Sequence, residues 1–400
     1  MKRSVLKFGG SSVSNIEKIK EIALFLKKRI EQGEQLIVVV SAMGKTTDRL
    51  MDSVHSITDN PKSEDLAVLL TTGEQQTIAY LSIILNDIGV KSKTLTGYQA
   101  GVHTEGSHLK SKIANIDADR FEQLFQSFSL IIVAGFQGFN SDNEITTLGR
   151  GGSDTTAVAL SATQECPCEI YTDVSGVYST DPRIYPDAKR LNTVSYEEMM
   201  EMSALGAGVL VSRSIEIANN HNVPIYLART LSEEEGTWIM PTTEMIEKKV
   251  VTGVTLDKDM LHVTLIYPYY DAKLINDIFK KLEQHDLNVD MISQITNNEG
   301  LQLSFTLKDT ENHHIQQVLS EMESLYPNLV LKTENKFVKV SVIGSGMRDV
   351  SGVASKVFRK LIEGNIRFHQ VTTSEISISH VVSAEDGEKA VRLLCEEFGL

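Results

Sequence analysis

The stretch QLIVVVSAMGKTTD, residues 35–48, decides the fold class. Its first part is a continuous apolar run with no alternation, bounded by turn residues. Such a run reads as a strand buried on both faces, as in a parallel sheet covered by helices. The run then stops on small and polar residues that open a helix. LIIVAGFQG (130–138) repeats the pattern. Between such strands lie segments of helical spacing. SNIEKIKEIALFLKKRIEQG (14–33) places apolar residues at Ile16, Ile19, Ile22, Ala23, Leu26 and Ile30. Ser14 with Glu17 predicts a capping box for that helix, and Gly33 its stop. EDLAVLLTTGEQQTIAYLSIILNDIG (64–89) reads as helix with an interruption possible at Gly73. SDTTAVALSATQ is a further helix and CEIYTDVSG a further strand. Strand and helix in alternation predict an α/β, three-layer, mainly parallel sheet running to about residue 240. SEEEGTWIMPTTEMIEKK (232–249) reads as a last hairpin followed by a linker.

Beyond the linker the pattern changes to a repeat. HVTLIYP (262–268) opens a βαββαβ unit that ends with NLVLKTEN, and KVSVIGSG (339–346) starts the same order again. Val263 and Val340 are 77 residues apart, as are Asn288 and Asn365. A fixed offset marks one structural unit used twice. The second unit runs out of chain one strand short. KVVTGVTL (249–256) is otherwise unassigned and can fill that edge. The expected domains are therefore 1–245, 258–334, and 249–257 with 335–400.

The chain has 400 residues, 41% of them hydrophobic, which is too long for a single ordinary core. Its net charge of −14 argues against nucleic acid and against an anionic membrane face. No run of 18 apolar residues occurs, and MKRSVLKFGG enters a strand directly, so a cytoplasmic chain is expected. The cysteines are Cys166, Cys168 and Cys395, too few for a disulfide framework. The CPC pair lacks the second Cys/His pair that a structural zinc site needs.

Four loops share one pattern, in which a strand ends and small polar residues are expected to open a helix. They are KFGGSSV (7–13), VSAMGKTTD (40–48), AGFQGFNSDNEITTLGRGGSD (134–154) and TDVSGVYSTDPR (172–183). In a parallel sheet they converge at the carboxyl ends of the strands, where ligands bind. In KFGGSS the glycines let backbone N–H groups approach phosphate oxygens, and Lys7 can bridge oxygens on a transferring group. Alone, the same residues fit a tight turn with a solvated lysine. In TTLGRGGSDTTAVAL (146–160), Arg150 can hold a carboxylate by two parallel hydrogen bonds. Gly151 and Gly152 expose backbone donors, and Ser153 can cap the helix and still face a ligand. Asp154 suits the helix dipole and can orient Lys7 or hold metal-bound water. Glu74 of TTGE is either an anion awaiting a cationic partner inside an apolar helix or an exposed cap between two helices. Asp173 suits a ribose hydroxyl, Tyr178 an adenine face and Arg183 a phosphate; an ordinary loop before an edge hairpin uses similar residues.

Two look-alikes fail. GKT (44–46) lacks the P-loop glycine five residues earlier, where Val39 stands. GSGMRDVSG (344–352) has Asp349 at the third glycine position of a dinucleotide fingerprint.

Taken together and in order, KFGGSSV, VVVSAMG, TTGE, TLTGYQAG, VAGFQG, TTLGRGGSDTTA and TDVSGVYSTDPR resemble the aspartate kinases of the amino acid kinase family. NVDMISQ and TTSEISIS are similar to that family's regulatory ACT modules, which are α+β, ferredoxin-like units. The resemblance spans essentially the whole chain. It implies ATP-dependent phosphorylation of the β-carboxylate of L-aspartate to 4-phospho-L-aspartate, the first step toward lysine, threonine and methionine. It implies that Thr47, Glu74 and Arg150 hold aspartate, Glu74 by the ammonium and Arg150 by the α-carboxylate. Ser153 with the amides of Gly151 and Gly152 would place the attacking end. Lys7, Phe8, Gly9, Gly10 and Ser11 would cradle the transferring phosphoryl group, with Lys7 and Asp154 catalytic. Thr172, Asp173, Tyr178, Asp181 and Arg183 would hold the nucleotide. Mg2+ would arrive with ATP, not in a protein metal site. Lysine, threonine or another pathway amino acid would bind the ACT-like pair, and the modules would pair between chains in a homodimer or larger. The chain departs from the family at LGAGVLVSRSIEIA (205–218), where many relatives carry a lysine in place of Gly208. A backbone amide, Arg183 or Arg213 would then compensate. YPYYDAKLIND also replaces a frequent Pro-Gly turn. Two rivals remain at this level: another carboxylate or carbamate kinase of the same fold, and a silent amino acid sensor.

Overall fold

The computed structural model describes residues 2–241, 250–297 and 300–400. The chain forms two compact units. The first consists of Met1–Tyr178, Arg190–Ala204 and Gly208–Met245. Its first half runs β1 (Arg3–Phe8), α1 (Ile16–Glu31), β2 (Gln35–Val40), α2 (Thr46–His55), α3 (Ser63–Asp87), β3 (Ser92–Leu95), β4 (Val102–Glu105), β5 (Lys112–Ile116) and α4 (Ala118–Phe125). Then follow β6 (Leu130–Ala134), β7 (Gln137–Phe139), β8 (Ile145–Thr147), α5 (Gly152–Thr163) and β9 (Cys168–Thr172). The unit closes with β10 (Thr193–Val194), α6 (Tyr196–Ala204), α7 (Ser212–His221), β11 (Ile225–Arg229) and β12 (Thr237–Ile239).

The main sheet has the order β10-β12-β11-β9-β1-β2-β6-β3. From β11 to β3 every neighbouring pair is parallel. The hairpin expected near residue 237 is the antiparallel β11–β12 pair. Alternate residues of the central strands face opposite layers. Leu6, Phe8, Leu36, Val38, Val40, Leu130 and Ile132 pack on Ile19, Ile22 and Leu26 of α1 and Ile78, Leu81 and Leu85 of α3. Val5, Ile37, Val39, Ile131 and Val133 are equally buried on the other face, where α5 lies on β1 and β2. This three-layer packing is why QLIVVV shows no alternation. A second small sheet, β5-β4-β7-β8, was not anticipated from the sequence, and the loops after β6 and β9 lead first into β7 and β10, not directly into a helix as expected.

Two local expectations need correction. The cap of α1 is Asn15, whose side chain accepts the Lys18 N–H at 2.9 Å, not Ser14 with Glu17. The long helix α3 is unbroken at Gly73. A Cβ there would lie 2.7 Å from the Cβ of Ala42, so glycine permits close approach of the β2 loop.

The second unit consists of Ser179–Lys189, Leu205–Ala207 and Ile246–Leu400. It runs β13 (Gly253–Asp257), β14 (Leu261–Tyr267), α8 (Ala272–Gln284), β15 (Ile292–Asn297), β16 (Gly300–Leu307), α9 (Asn312–Leu325) and β17 (Val330–Glu334). Then come β18 (Phe337–Ile343), α10 (Val353–Glu363), β19 (Phe368–Thr373), β20 (Ser377–Ser383) and α11 (Gly387–Phe398). Two four-stranded antiparallel sheets result, β15-β16-β14-β17 and β13-β18-β20-β19. Each buries one face under two helices. Leu274, Ile278 and Leu282 of α8 sit on the first, and Val353, Val357 and Leu361 of α10 on the second, all at i, i+4 spacing. Strand β13 pairs with β18 from Gly253↔Ile343 to Asp257↔Lys339. The 179–189 segment belongs to this unit because Ile184 enters the second core and Ser179 accepts the Val254 N–H at 2.7 Å. Of the expected linker, residues 242–249 lie outside the described residues.

Candidate active site

Strands β9, β1, β2 and β6 are neighbours, so their carboxyl-end loops meet at one rim of the first unit. Backbone hydrogen bonds join them. The Gly9 N–H donates to Tyr171 O at 3.2 Å, and the Gly44 N–H to Gly10 O at 3.0 Å. A Cβ on Gly10 would meet Ala42 O at 3.0 Å, so a larger residue would push two of these loops apart. Ser12, which sequence reasoning missed, adds a hydroxyl contact of 2.6 Å to Thr230.

Lys7 stands one residue before the end of β1. Its Nζ lies 2.5 Å from Oδ1 of Asp154, with side-chain exposures of only 11% and 13%. Oδ1 of Asp154 is buried and receives no aligned hydrogen bond. Charge alone holds the pair, which leaves both groups capacity for a ligand. A Cβ on Gly9 would come within 3.4 Å of Nζ, so glycine keeps the space beside the ammonium open. Phe8 contributes no side chain here. Its ring is buried in the core and stacks on Tyr171 at 5.1 Å. Ser11 is exposed beside it, and its carbonyl accepts from Lys18.

Helix α5 begins at Gly152 directly against this pair. Its cap is Gly151, left-handed at φ 69°, with no side-chain cap bond. The expectation that Ser153 caps the helix is therefore corrected. A Cβ on Gly151 would lie 2.3 Å from Val211, so the position demands glycine on two grounds. Ser153 is buried in the first turn, where a Cβ on Gly135 would touch its Oγ at 2.8 Å. Arg150 is exposed and has no ion-pair partner among the described residues. It is free to take a carboxylate from solution.

Glu74 is buried in the middle of α3, which removes the exposed-cap alternative. Its Oε1 accepts the Ala42 N–H at 3.0 Å, while Oε2 is buried without a partner. Burial pushes its pKa up to about 7. A buried carboxylate oxygen with no donor is a ready site for an ammonium group. Thr47 is half-buried in the first turn of α2.

The expected nucleotide residues divide. Thr172 ends β9, and its carbonyl accepts the Thr230 N–H at 2.9 Å. Asp173 is exposed and accepts from the Thr172 hydroxyl at 3.0 Å. Tyr178 is half-buried, and its backbone forms an isolated antiparallel β-bridge with Arg190. Asp181 and Arg183, by contrast, belong to the second unit and pair with each other at 2.7 Å. Those bonds hold the Asp181 carboxyl below its ordinary range. Arg213 is committed to the carbonyls of Leu148 at 3.0 Å and Ser111 at 2.8 Å. It is no spare cation for the lysine absent at Gly208.

Sequence reasoning also missed Gln137, Phe136 and Thr156. Gln137 is buried, donates to Thr71 O at 3.1 Å and accepts the Gly97 N–H at 3.3 Å. It ties the TLTG loop to the helix that carries Glu74. Phe136 is left-handed at φ 71°, which nothing in its sequence context signals.

The chain is also similar to known proteins. Residues 2–229 match the amino acid kinase family, and residues 340–398 match the ACT domain family. The chain is 41% identical to aspartokinase 2 of Bacillus subtilis over 397 residues, covering 99% of this chain and 97% of that one. It is 40% identical to the aspartokinase of Geobacillus stearothermophilus over 398 residues, with coverage of 99% and 97%. Its fold matches E. coli aspartokinase III crystallised with aspartate and ADP, at a TM-score of 0.81, 21% identity and 100% of both chains. The crystal structure of that enzyme with lysine and aspartate matches at a TM-score of 0.76, 22% identity and 99% of both chains. With full-length identity at this level to curated aspartokinases, the chain belongs to the amino acid kinase family as an aspartokinase with a C-terminal ACT region.

Proposed function

We propose that this aspartate kinase carries out phosphoryl transfer from ATP to the β-carboxylate of L-aspartate at the rim formed by the loops after β1, β2, β6 and β9. The observation that carries the assignment is the nearly dry Lys7–Asp154 pair beside an open glycine turn. Lys7 neutralises the transferring phosphoryl oxygens, with the Gly9 and Gly10 backbone close by. Asp154 fixes the Lys7 ammonium. Its free oxygen also fits a water of the Mg2+ that ATP brings, which would supply further charge neutralisation. The acceptor carboxylate is ionised at neutral pH, so no general base is required. Catalysis is then positioning plus electrostatics.

Aspartate is held at three points. The unpartnered Oε2 of Glu74 takes its ammonium, the exposed Arg150 its α-carboxylate, and Thr47 lines the approach. Ser153 and the Gly151 amide place the attacking end; the Gly152 N–H already donates to Gly149 O at 3.0 Å and is a poorer candidate. Thr172, Asp173 and Tyr178 serve the nucleotide. Asp181 and Arg183 are weaker candidates, because each already has the other as partner. The proposed kinase domain is residues 1–245, with ACT-like modules at 258–334 and at 249–257 plus 335–400; the β13–β18 pairing supports the last boundary. Lysine, threonine or a related amino acid is the proposed effector, and a cytoplasmic homodimer or larger the proposed assembly. Among the described residues no helix is long and apolar enough to cross a membrane.

The test is ADP release coupled to a spectrophotometric readout, with aspartate, with other carboxylates, and with each candidate effector. Turnover with aspartate that is reduced by lysine or threonine is expected. Arg150→Ala should raise KM for aspartate by about 30-fold or more, on the order of the 2 kcal/mol of a charged hydrogen bond. Its melting temperature should not move, since Arg150 is exposed and unpaired. An unchanged KM would contradict the assignment of Arg150.

A further inference from the structure

Phe136 follows Gly135 at the end of β6 in a left-handed conformation, φ 71°. For a bulky residue this costs on the order of 1–3 kcal/mol, so something must hold it there. Two hydrogen bonds do. Its carbonyl accepts the Leu148 N–H at 2.9 Å, and its own N–H donates to Oγ1 of Thr156 at 3.1 Å.

Thr156 is fully buried on α5, one turn beyond Gly152. Its hydroxyl also donates to Gly152 O at 2.9 Å. The back-bond to a carbonyl four residues earlier is ordinary for a helical threonine. Accepting from a strained residue in a different loop is not. A hydroxyl has one donor and can do both at once. Valine has the same shape and can do neither.

The strained turn lies close against the N-terminal end of the helix. A Cβ on Gly152 would lie 2.8 Å from the Phe136 ring, and one on Gly135 would lie 2.8 Å from Ser153 Oγ. The same helical turn carries Asp154, whose carboxylate holds Lys7. We propose that Thr156 is a positioning residue for phosphoryl transfer. Its hydroxyl locks the Gly135–Phe136 turn against the first turn of α5, and so fixes Ser153, Asp154 and the Lys7 ammonium. This rests on the reading of the Lys7–Asp154 rim as the reaction site. Misplacement of reacting groups by about 1 Å costs roughly 100-fold in rate, which sets the scale of the effect.

The test compares Thr156→Val with Thr156→Ser, measuring kcat, KM for both substrates and thermal unfolding. Thr156→Val should lower kcat by roughly 10- to 100-fold while both KM values move by less than about threefold. Thr156→Ser, which keeps the hydroxyl, should stay within about threefold of the parent. The same Thr156→Val change is also made in Phe136→Gly, where a left-handed φ carries no penalty. There it should cost less than about threefold in kcat, since no strain remains to be held. A Thr156→Val enzyme at parental kcat overturns the proposal. So does a Thr156→Ser enzyme as impaired as the valine variant. Equal losses in both backgrounds, including equal loss of folded protein, overturn it too. Asp154→Asn at parental activity would instead sink the reading of the site, so the two failures are distinguishable.

Discussion

Each unit buries a lysine on a central strand against aspartate, and the two pairs differ in what surrounds them. Lys339 of β18 is 3% exposed and hydrogen-bonds Asp290, with the Asp257 carboxylate 3.9 Å away. Asp257 in turn accepts the Asp259 N–H at 3.0 Å. Phe337, Val338, Val340 and Val342 around Lys339 on the same strand are buried. That lysine is satisfied on its own chain, and its charge holds structure together. Among the described residues Lys7 has one carboxylate, no aligned hydrogen bond to it, and a glycine turn that leaves space beside its ammonium. Burial and an opposite charge alone therefore do not mark a catalytic lysine. On the proposed reading, unused bonding capacity beside an open turn is what sets Lys7 apart.

The comparison can be broken in three ways, beginning with the largest effect. Asp154→Asn removes the anion that fixes Lys7. Steady-state assay should show kcat reduced by about 1,000-fold, on the order of 4 kcal/mol of transition-state stabilisation. A loss under tenfold would make this pair structural like the other.

Glu74 supplies the next test, since it is a buried carboxylate with no cation paired to it among the described residues. Its folded pKa is about 7 against an ordinary 4.5, raised by burial. Between those values the folded chain keeps a proton that the unfolded chain has released. Stability therefore falls as pH rises through that window, by up to about 3 kcal/mol. Glu74→Gln should unfold like the parent near pH 4 and at higher temperature above pH 7. Its kcat/KM for aspartate should nevertheless drop, because an amide cannot hold an ammonium as an anion does. A parent-like melting curve at pH 8 would show that the carboxylate is better satisfied than its contacts indicate.

The smallest effect is expected at Lys339. Lys339→Met should cost about 1–3 kcal/mol of stability, discounted because the Asp290 side chain is half exposed. Chemical denaturation reads this directly. Without effector its kcat should stay within twofold of the parent.

The fold class was legible because apolar runs without alternation, as in QLIVVV, are what a sheet covered on both faces requires. The later repeat was legible from its constant offset. The small sheet β5-β4-β7-β8 was not, since its strands span only three to five residues each. Nor was the transfer of residues 179–189 to the second unit, which depends on Ile184 finding a distant core. In the site, Lys7, Glu74 and Asp154 stood out as charges in apolar or glycine-rich settings. Phe136 and Thr156 did not. A left-handed phenylalanine and a shared hydroxyl arise from tertiary contacts, and local sequence carries no trace of them. The Ser153 cap failed for a related reason: Val211, 60 residues away, joins the left-handed φ in demanding glycine at the cap position 151.

The most direct measurement sets Lys7→Ala beside Lys339→Met and records both the rate of phosphoryl transfer in a single turnover and the free energy of unfolding. Both variants should lose stability by a similar small amount, and only Lys7→Ala should lose the reaction, by about 1,000-fold or more. A Lys7→Ala enzyme that transfers phosphate within tenfold of the parent rate would contradict the account.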